Sequence, residues 1–155
     1  MSRVFNLLEL ELSPEEGAPE GHAFSGASLT EAFGARLTGL GVYELPPGQS
    51  VWPYHFELGD EEWAIVLDGE VTLRTPTGER TLRRGDVVCF PAGAEGAHAF
   101  RNDGDETARF AMPSTVPQGV DAVVYPDSSK IKVSGPGFRR RFALGPEREY
   151  WEGEE

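Results

Sequence analysis

The residues best suited to chemistry in this 155-residue chain are two histidines and two glutamates. His55 and Glu57 are two residues apart in an extended segment, so their side chains project from the same face, roughly 7 Å apart along the backbone. Glu62 follows a short turn, and we expect hairpin pairing to bring it beside His55. His98 begins a further strand after a loop of small residues. Imidazole and carboxylate groups bind divalent metals, so the set is a candidate site for one small ion.

These residues lie in a series of short extended segments. Glycine (19 residues) and proline (12 residues) together make up one residue in five, which predicts frequent turns and few long helices. Strands are predicted at 8–12, 37–45, 51–57, 62–67, 71–75, 80–82, 87–90, 98–101, 108–112, 122–125, 130–133 and 137–142. About eight central strands without a helical period favour an all-β jelly roll or barrel over an α/β fold.

The composition divides the chain into three parts. Residues 1–30 read as an N-terminal arm with a possible edge strand at 8–12, residues 31–118 as the barrel, and residues 119–155 as a C-terminal extension. Three consecutive arginines at 139–141 could form a small anion patch, but in so acidic a chain they are expected instead to pair with nearby carboxylates on a solvated face. A strand at 8–12 has few local partners, so we expect a homodimer in which the arm or the extension completes a neighbouring barrel.

Two motifs within residues 36–114 resemble those of the cupin superfamily. The first family motif ends in Glu, six residues and Gly, and the second runs Gly, five residues, Pro-x-Gly, two residues, His, three residues, Asn. The matching positions are Glu62 and Gly69 for the first, and Gly85, Pro91, Gly93, His98 and Asn102 for the second. Two features depart from the pattern: four residues separate Gly93 from His98, and Glu57 replaces the second His of His-x-His. The sequence most resembles a single-domain subgroup of uncharacterised function with this His-x-Glu pattern.

The resemblance implies a cupin-type double-stranded β-helix, a small jelly-roll barrel, with one divalent metal inside it. Carried over by position, the ligands are His55, Glu62 and His98, with Glu57 either closing a fourth position or acting as a catalytic general base. Two imidazoles and one carboxylate leave three positions of an octahedron open, as in non-haem Fe(II) oxygenases. Manganese, iron, zinc and nickel all accept this ligand set.

Two functions are compatible with this site. The first is a small metal-dependent enzyme of dioxygenase, isomerase or decarboxylase type that acts on a small oxygenated metabolite inside the barrel. The alternative is a binding or sensor protein that holds a small ligand without turnover, with or without metal. A barrel that has lost its metal would instead use His55, His98 and the two glutamates in structural hydrogen bonds. His22, in the polar arm, is expected to be structural.

The overall charge argues against several classes of partner. A net charge of −12 and a pI near 4.7 disfavour binding to nucleic acid or to anionic membrane surfaces.

The longest apolar run, residues 63–67, is far shorter than the roughly 20 residues of a membrane span. The first residues lack the pattern of a secretory signal, and the single cysteine, Cys89, lies in an apolar run that suggests a buried thiol. These features predict a cytoplasmic protein.

Overall fold

The computed structural model describes residues 3–154, and over that range the chain forms thirteen β-strands and one short helix. The strands are β1 (Ser13–Pro14), β2 (Ser25–Ser28), β3 (Thr38–Leu45), β4 (Phe56–Glu57), β5 (Glu62–Asp68), β6 (Glu70–Thr75), β7 (Gly78–Arg83), β8 (Val87–Phe90), β9 (Ala99–Arg101), β10 (Ala108–Thr115), β11 (Asp121–Tyr125), β12 (Lys130–Gly135) and β13 (Phe138–Ala143). The helix, α1, is Thr30–Phe33. The all-β prediction is confirmed.

The strands form three antiparallel sheets. The largest has the order β1-β2-β3-β10-β5-β8, the second β13-β12-β11-β4, and the third β7-β6-β9. Strands distant in sequence are neighbours, as β3 and β5 both pair with β10. This crossing of the chain between sheets is typical of jelly rolls and not of a simple meander.

The hydrophobic core joins the six-stranded and three-stranded sheets. Ala64 and Val66 of β5 are buried in alternation and share one cluster with Phe110 of β10 and Leu73 of β6. Val66, Phe110 and Leu73 each contribute roughly 1.5–3 kcal/mol when their side chains are removed from water. At the β5–β6 turn, Gly69 has φ +68°, and a Cβ there would lie 2.9 Å from the Cα of Ala108, so the motif glycine fits where a larger residue would not.

Residues 7–10, in the first part of the N-terminal arm, are anchored by an arginine, whereas β1 and β2 hold the rest of the arm to β3 by strand pairing. The prediction of a strand at 8–12 is wrong: residues 7–9 form a turn, and Arg109 donates hydrogen bonds to the carbonyl oxygens of Leu7 (2.9 Å) and Leu10 (2.5 Å). The same guanidinium pairs with Glu44 at 2.6 Å. Carbonyls that a strand would offer to a neighbouring strand are therefore satisfied by a side chain.

The C-terminal extension forms a wall of the barrel. Strands β11, β12 and β13 make an antiparallel meander, and β11 pairs with β4, so that Val123 faces Glu57 and Val124 faces Phe56. The limits placed at residues 30 and 118 stay predictions. Within residues 3–154, no helix combines the length and hydropathy that crossing a membrane requires.

The expectation of a buried cysteine thiol is wrong. Cys89 is exposed because β8 is the edge of the six-stranded sheet, and its alternate residues, Val87 and Cys89, point to solvent. Phe90, on the other face of the strand, is buried in the core.

Candidate metal centre

Three different elements bring His55, Glu62 and His98 together. His55 immediately precedes β4, Glu62 is the first residue of β5, and His98 lies between a 3-10 turn at Ala94–Gly96 and β9. The two histidines face each other in an isolated antiparallel bridge, with backbone N–H donors 3.1 and 2.9 Å from the opposite carbonyl oxygens. Because Glu62 pairs with Phe90 of β8 instead, the predicted hairpin pairing with His55 is wrong. The predicted proximity is nevertheless present.

The three side chains converge on one point. The Oε2 atom of Glu62 lies 3.5 Å from Nε2 of His98 and 3.9 Å from Nε2 of His55. The ligand atoms of all three residues lie within 4.8 Å of one another. Donor atoms at this spacing can be drawn around a single ion with small side-chain movements, since metal–ligand bonds are roughly 2.0–2.2 Å long.

The outer nitrogens of both imidazoles are held by backbone carbonyls. Nδ1 of His55 donates to the carbonyl oxygen of Pro53 at 2.8 Å, and Nδ1 of His98 donates to that of Gly96 at 2.9 Å. A carbonyl accepts only from a protonated nitrogen, so in the neutral ring both Nε2 atoms carry lone pairs directed at the centre. Metal-bound histidines are commonly oriented in this way.

Three buried atoms at the centre that could coordinate a metal have no hydrogen-bond partner among the described residues. These atoms are Nε2 of His98, Oε2 of Glu62 and Oε2 of the adjacent Glu57. An unpaired buried polar atom costs free energy unless something binds it. The donor set therefore fits a divalent metal better than a network of structural His–Glu hydrogen bonds, which would leave no such atoms.

Burial controls the protonation of the centre in the absence of a cation. It raises the pKa of Glu62 to about 7, helped by the charge of Asp60. Burial and the neighbouring His55 lower the pKa of His98 to about 4, and burial also lowers that of His55. Both shifts favour neutral groups, as expected where charge is desolvated. A bound divalent cation would reverse the preference of Glu62 by stabilising its carboxylate.

Glu57 is adjacent to the centre but belongs to a second cluster. Its Oε1 atom is 3.9 Å from Nε2 of His55, and it also forms a cluster with Asp60 and Asp121, in which one ligand oxygen from each of the three residues lies within 4.8 Å of the others. Burial raises the pKa of Glu57 to about 8, although the Lys132 ammonium acts against this rise. Whether Glu57 is a fourth ligand or a general base stays a prediction.

The centre opens into a cavity of about 520 Å³. Its wall includes residues that were not singled out from the sequence, among them Tyr125, whose ring stacks on His55 at 5.9 Å between centroids. Arg139 and Arg141 also line it and are exposed. Among residues 3–154 no carboxylate oxygen lies within 4.0 Å of either, so the expected pairing with carboxylates is wrong. His22 hydrogen-bonds through Nδ1 to the carbonyl of Val51 at 2.6 Å, in agreement with the structural role expected of it.

Residues 41–114 match the family of the Cupin domain, Cupin_2. Among curated proteins, the auxin-binding proteins ABP19b and ABP19a of Prunus persica are each 31% identical in a 100-residue alignment that covers 57% of this chain. The matched region is 46% of their length, so the chain spans about half the length of these relatives.

Solved structures agree over a larger part of the chain. A protein of Acidithiobacillus ferrooxidans proposed to be a sugar phosphate isomerase superposes with a TM-score of 0.81 at 26% identity, covering 92% of this chain and 91% of the other. A cupin-superfamily sugar phosphate isomerase of Silicibacter pomeroyi gives 0.79 at 23% identity, with 91% and 92% coverage. A protein of Thermotoga maritima proposed to be an oxalate decarboxylase gives 0.62 at 23% identity, with 74% and 99% coverage. These similarities confirm the predicted fold.

Proposed function

We propose, from the match of residues 41–114 to the Cupin domain family and from the geometry of the centre, that the protein is a metal-dependent enzyme that isomerises a small hydroxy-carbonyl compound inside its barrel. The observation that carries the proposal is that the centre contains a three-residue donor set and, beside it, a separate buried carboxyl group. His55, Glu62 and His98 form one donor set, while the buried carboxyl of Glu57 lies beside it in a different cluster. The first set suits a metal, and the second supplies a group able to move a proton.

Three protein ligands leave room for two oxygens of a substrate. A divalent ion held by His55, Glu62 and His98 would polarise the substrate carbonyl and acidify the neighbouring C–H bond. A hydroxy-carbonyl compound offers two oxygens on adjacent carbons and so can occupy neighbouring open positions. The cavity volume of about 520 Å³ lies within the usual range for small-molecule sites.

Glu57 is placed to transfer the proton. Its carboxylate takes the proton from the carbon next to the carbonyl and returns it to the former carbonyl carbon, while the hydroxyl proton passes to the carbonyl oxygen. Substrate and product have the same composition, so no oxidant or reductant is required. Burial raises the pKa of Glu57 to about 8 in the absence of a cation, so the carboxylate that accepts the proton would form at neutral pH through the influence of the nearby divalent ion, which lowers this pKa.

The comparison with the Acidithiobacillus ferrooxidans protein supports isomerisation over the other cupin reactions. That relative is proposed to be a sugar phosphate isomerase and covers almost the whole chain at 26% identity. Dioxygenation and decarboxylation remain the competing reactions for the same metal centre, and each gives a different measurable product.

The test is solvent deuterium exchange in the metal-loaded protein. We expect aldoses or ketoses, with and without phosphate, to gain deuterium at the carbon next to the carbonyl, as followed by NMR in D2O. Glu57→Gln should slow the exchange by about 10²- to 10⁴-fold while retaining metal, whereas Glu61→Gln, an exposed neighbour, should leave it unchanged. Oxygen consumption or carbon dioxide release without exchange would contradict isomerisation but keep an enzyme.

A second candidate function is ligand binding without turnover. The observation in its favour is that the Prunus persica relatives are auxin-binding proteins. In that case small aromatic or sugar acids would raise the melting temperature of the protein, and no exchange, oxygen uptake or carbon dioxide release would be detected with any compound of the panel.

A further inference from the structure

The second sheet presents one unusually basic face to the cavity. Strand partners run in a row from Glu57 through Val123 and Lys132 to Arg141, so these four residues share a face. Lys130 and Arg139 lie two residues from Lys132 and Arg141 and therefore point the same way. Lys130, Lys132, Arg139 and Arg141 all line the cavity; we call them the cationic wall.

The cationic wall stands out against the composition of the chain. Its two lysines are the only lysines among 155 residues, in a protein with a net charge of −12. Over residues 3–154, no carboxylate oxygen lies within 4.0 Å of any of the four, as is also true of the arginines at 3, 36, 80, 84 and 140, whereas the arginines at 74, 83, 101, 109 and 148 have such partners. These four cations are thus concentrated at the cavity and left without ion pairs.

Two members of the wall repel each other in the ligand-free protein. Lys132 and Arg141 are direct cross-strand partners, and like charges in that position destabilise a sheet. Lys130 gains only a contact with the Tyr125 ring, 5.0 Å from the centroid. An anion between the two strands would turn this repulsion into attraction, since charge-assisted hydrogen bonds from guanidinium and ammonium groups are among the strongest.

We propose that the cationic wall binds the phosphate group of a small ligand whose other end lies at His55, Glu62 and His98. Two arginines and two lysines exceed what one carboxylate needs and suit a phosphate monoester, which carries up to two charges on three terminal oxygens. Glu57 and Arg141 are separated by three strand spacings, roughly 14 Å between Cα atoms. Side chains from both ends therefore enclose a molecule of sugar size. This inference rests on the proposed function for the position of the reacting end of the ligand.

Tyr125 connects the two ends of the ligand site. Its ring stacks on His55 at 5.9 Å and receives the Lys130 ammonium on its face. Tyr125 therefore lies between the candidate metal centre and the cationic wall, in contact with a residue of each.

The test compares ribose 5-phosphate, ribose and ribonate by calorimetry on the full chain with its metal. We expect the phosphate ester to bind at least about tenfold more tightly than either of the others, because only it offers a doubly charged group to the wall. In Arg139→Gln/Arg141→Gln this preference should disappear. Both arginines are exposed and lack ion pairs, so the double variant is expected to fold, as its melting curve would show.

Arg140→Gln is the matched control. Arg140 lies between the two tested arginines on the same strand, and its guanidinium is 5.9 Å from the ring of Phe138 on the opposite face. The same loss of charge there should leave the phosphate preference intact. Equal binding of ribose 5-phosphate and ribonate, or equal losses in the Arg140 and Arg139/Arg141 variants, would overturn the inference.

Metal content measured on the same samples separates the two proposals. A phosphate preference in a protein whose centre binds no metal would refute the proposed function and support phosphate binding by the cationic wall. Full metal content without any phosphate preference would refute phosphate binding by the cationic wall and leave the proposed function standing.

Discussion

Metal affinity should fall as the pH drops below about 7, because Glu62 must lose a proton before it can coordinate an ion. Burial holds the pKa of this carboxyl at about 7 in the metal-free protein. The histidines add no such requirement near neutrality, since the pKa of His98 is lowered to about 4 and that of His55 is also lowered. Binding should therefore release one proton per ion in weakly acidic solution.

The size of the effect follows from the fraction of Glu62 that is ionised. With a pKa of about 7, roughly one-tenth of the carboxyl is ionised at pH 6 and one-hundredth at pH 5. The apparent dissociation constant should thus rise about tenfold for each pH unit below 7, which corresponds to about 1.4 kcal/mol per unit. Above pH 8 it should be nearly constant.

Competition with a chromophoric chelator between pH 5.5 and 8.5 measures this slope for Zn²⁺ or Mn²⁺. Glu57→Gln is the informative control, because it removes the other buried carboxyl with a raised pKa and leaves Glu62 in place. The slope should persist in that variant. A dissociation constant that stays the same from pH 5.5 to 7, or a slope that vanishes in Glu57→Gln, would refute the assignment to Glu62.

Four further outcomes are expected. Elemental analysis should find about one divalent ion per chain and little in His98→Ala, which lacks one of three ligands; equal contents would rule out the site. In urea unfolding, the metal-free protein should lose stability as the pH rises from about 6.5 to 8, because the folded-state pKa values of Glu57 and Glu62 are raised to about 8 and 7 and the protonated forms are the stabilised ones, whereas the lowered pKa values of His55 and His98 oppose this trend only at lower pH; Glu57→Gln should flatten the trend. Limited proteolysis should cut residues 3–12 faster in Arg109→Gln, which loses the bonds that hold the arm; equal rates would show that other contacts hold it. Light scattering should give about twice the 16.9 kDa of one chain, since Phe142 and its neighbours leave an apolar face exposed; a single-chain mass at micromolar concentration would exclude the homodimer.

Local patterns were sufficient to predict most strands and the proximity of three donors. Strand β8 was predicted at 87–90, and β5 at 62–67, one residue short of its observed end, because apolar runs between Gly and Asp turns leave few alternatives. The spacing around Glu62 and His98 carried the rest through the family resemblance. Neither the local patterns nor the motif spacing predicted the pairing partner of His55, since strand pairing depends on contacts distant in sequence.

The residues whose environment was predicted wrongly are all positioned by contacts with residues distant in sequence or by their place in a sheet. Whether Arg139 and Arg141 face the cavity or solvent is decided by the register of β13 on β12 and of β11 on β4, and a shift of one residue would reverse it. Cys89 is exposed because its strand lies at a sheet edge, which an apolar run does not reveal. The alternating residues 8–12 resemble a strand until Arg109, about 100 residues away, takes their carbonyls.

The pairing of β11 with β4 has a practical meaning for anyone who shortens this chain. A fragment that stops at residue 118 would retain the whole recognised domain at 41–114 and every donor of the candidate metal centre. It would nevertheless leave the strand that bears Glu57 without its neighbour, open one side of the cavity to bulk water, and create a bare sheet edge prone to self-association. A fragment that keeps this side of the cavity closed is therefore longer than the segment that matches the family model, and it extends to residue 143 at least.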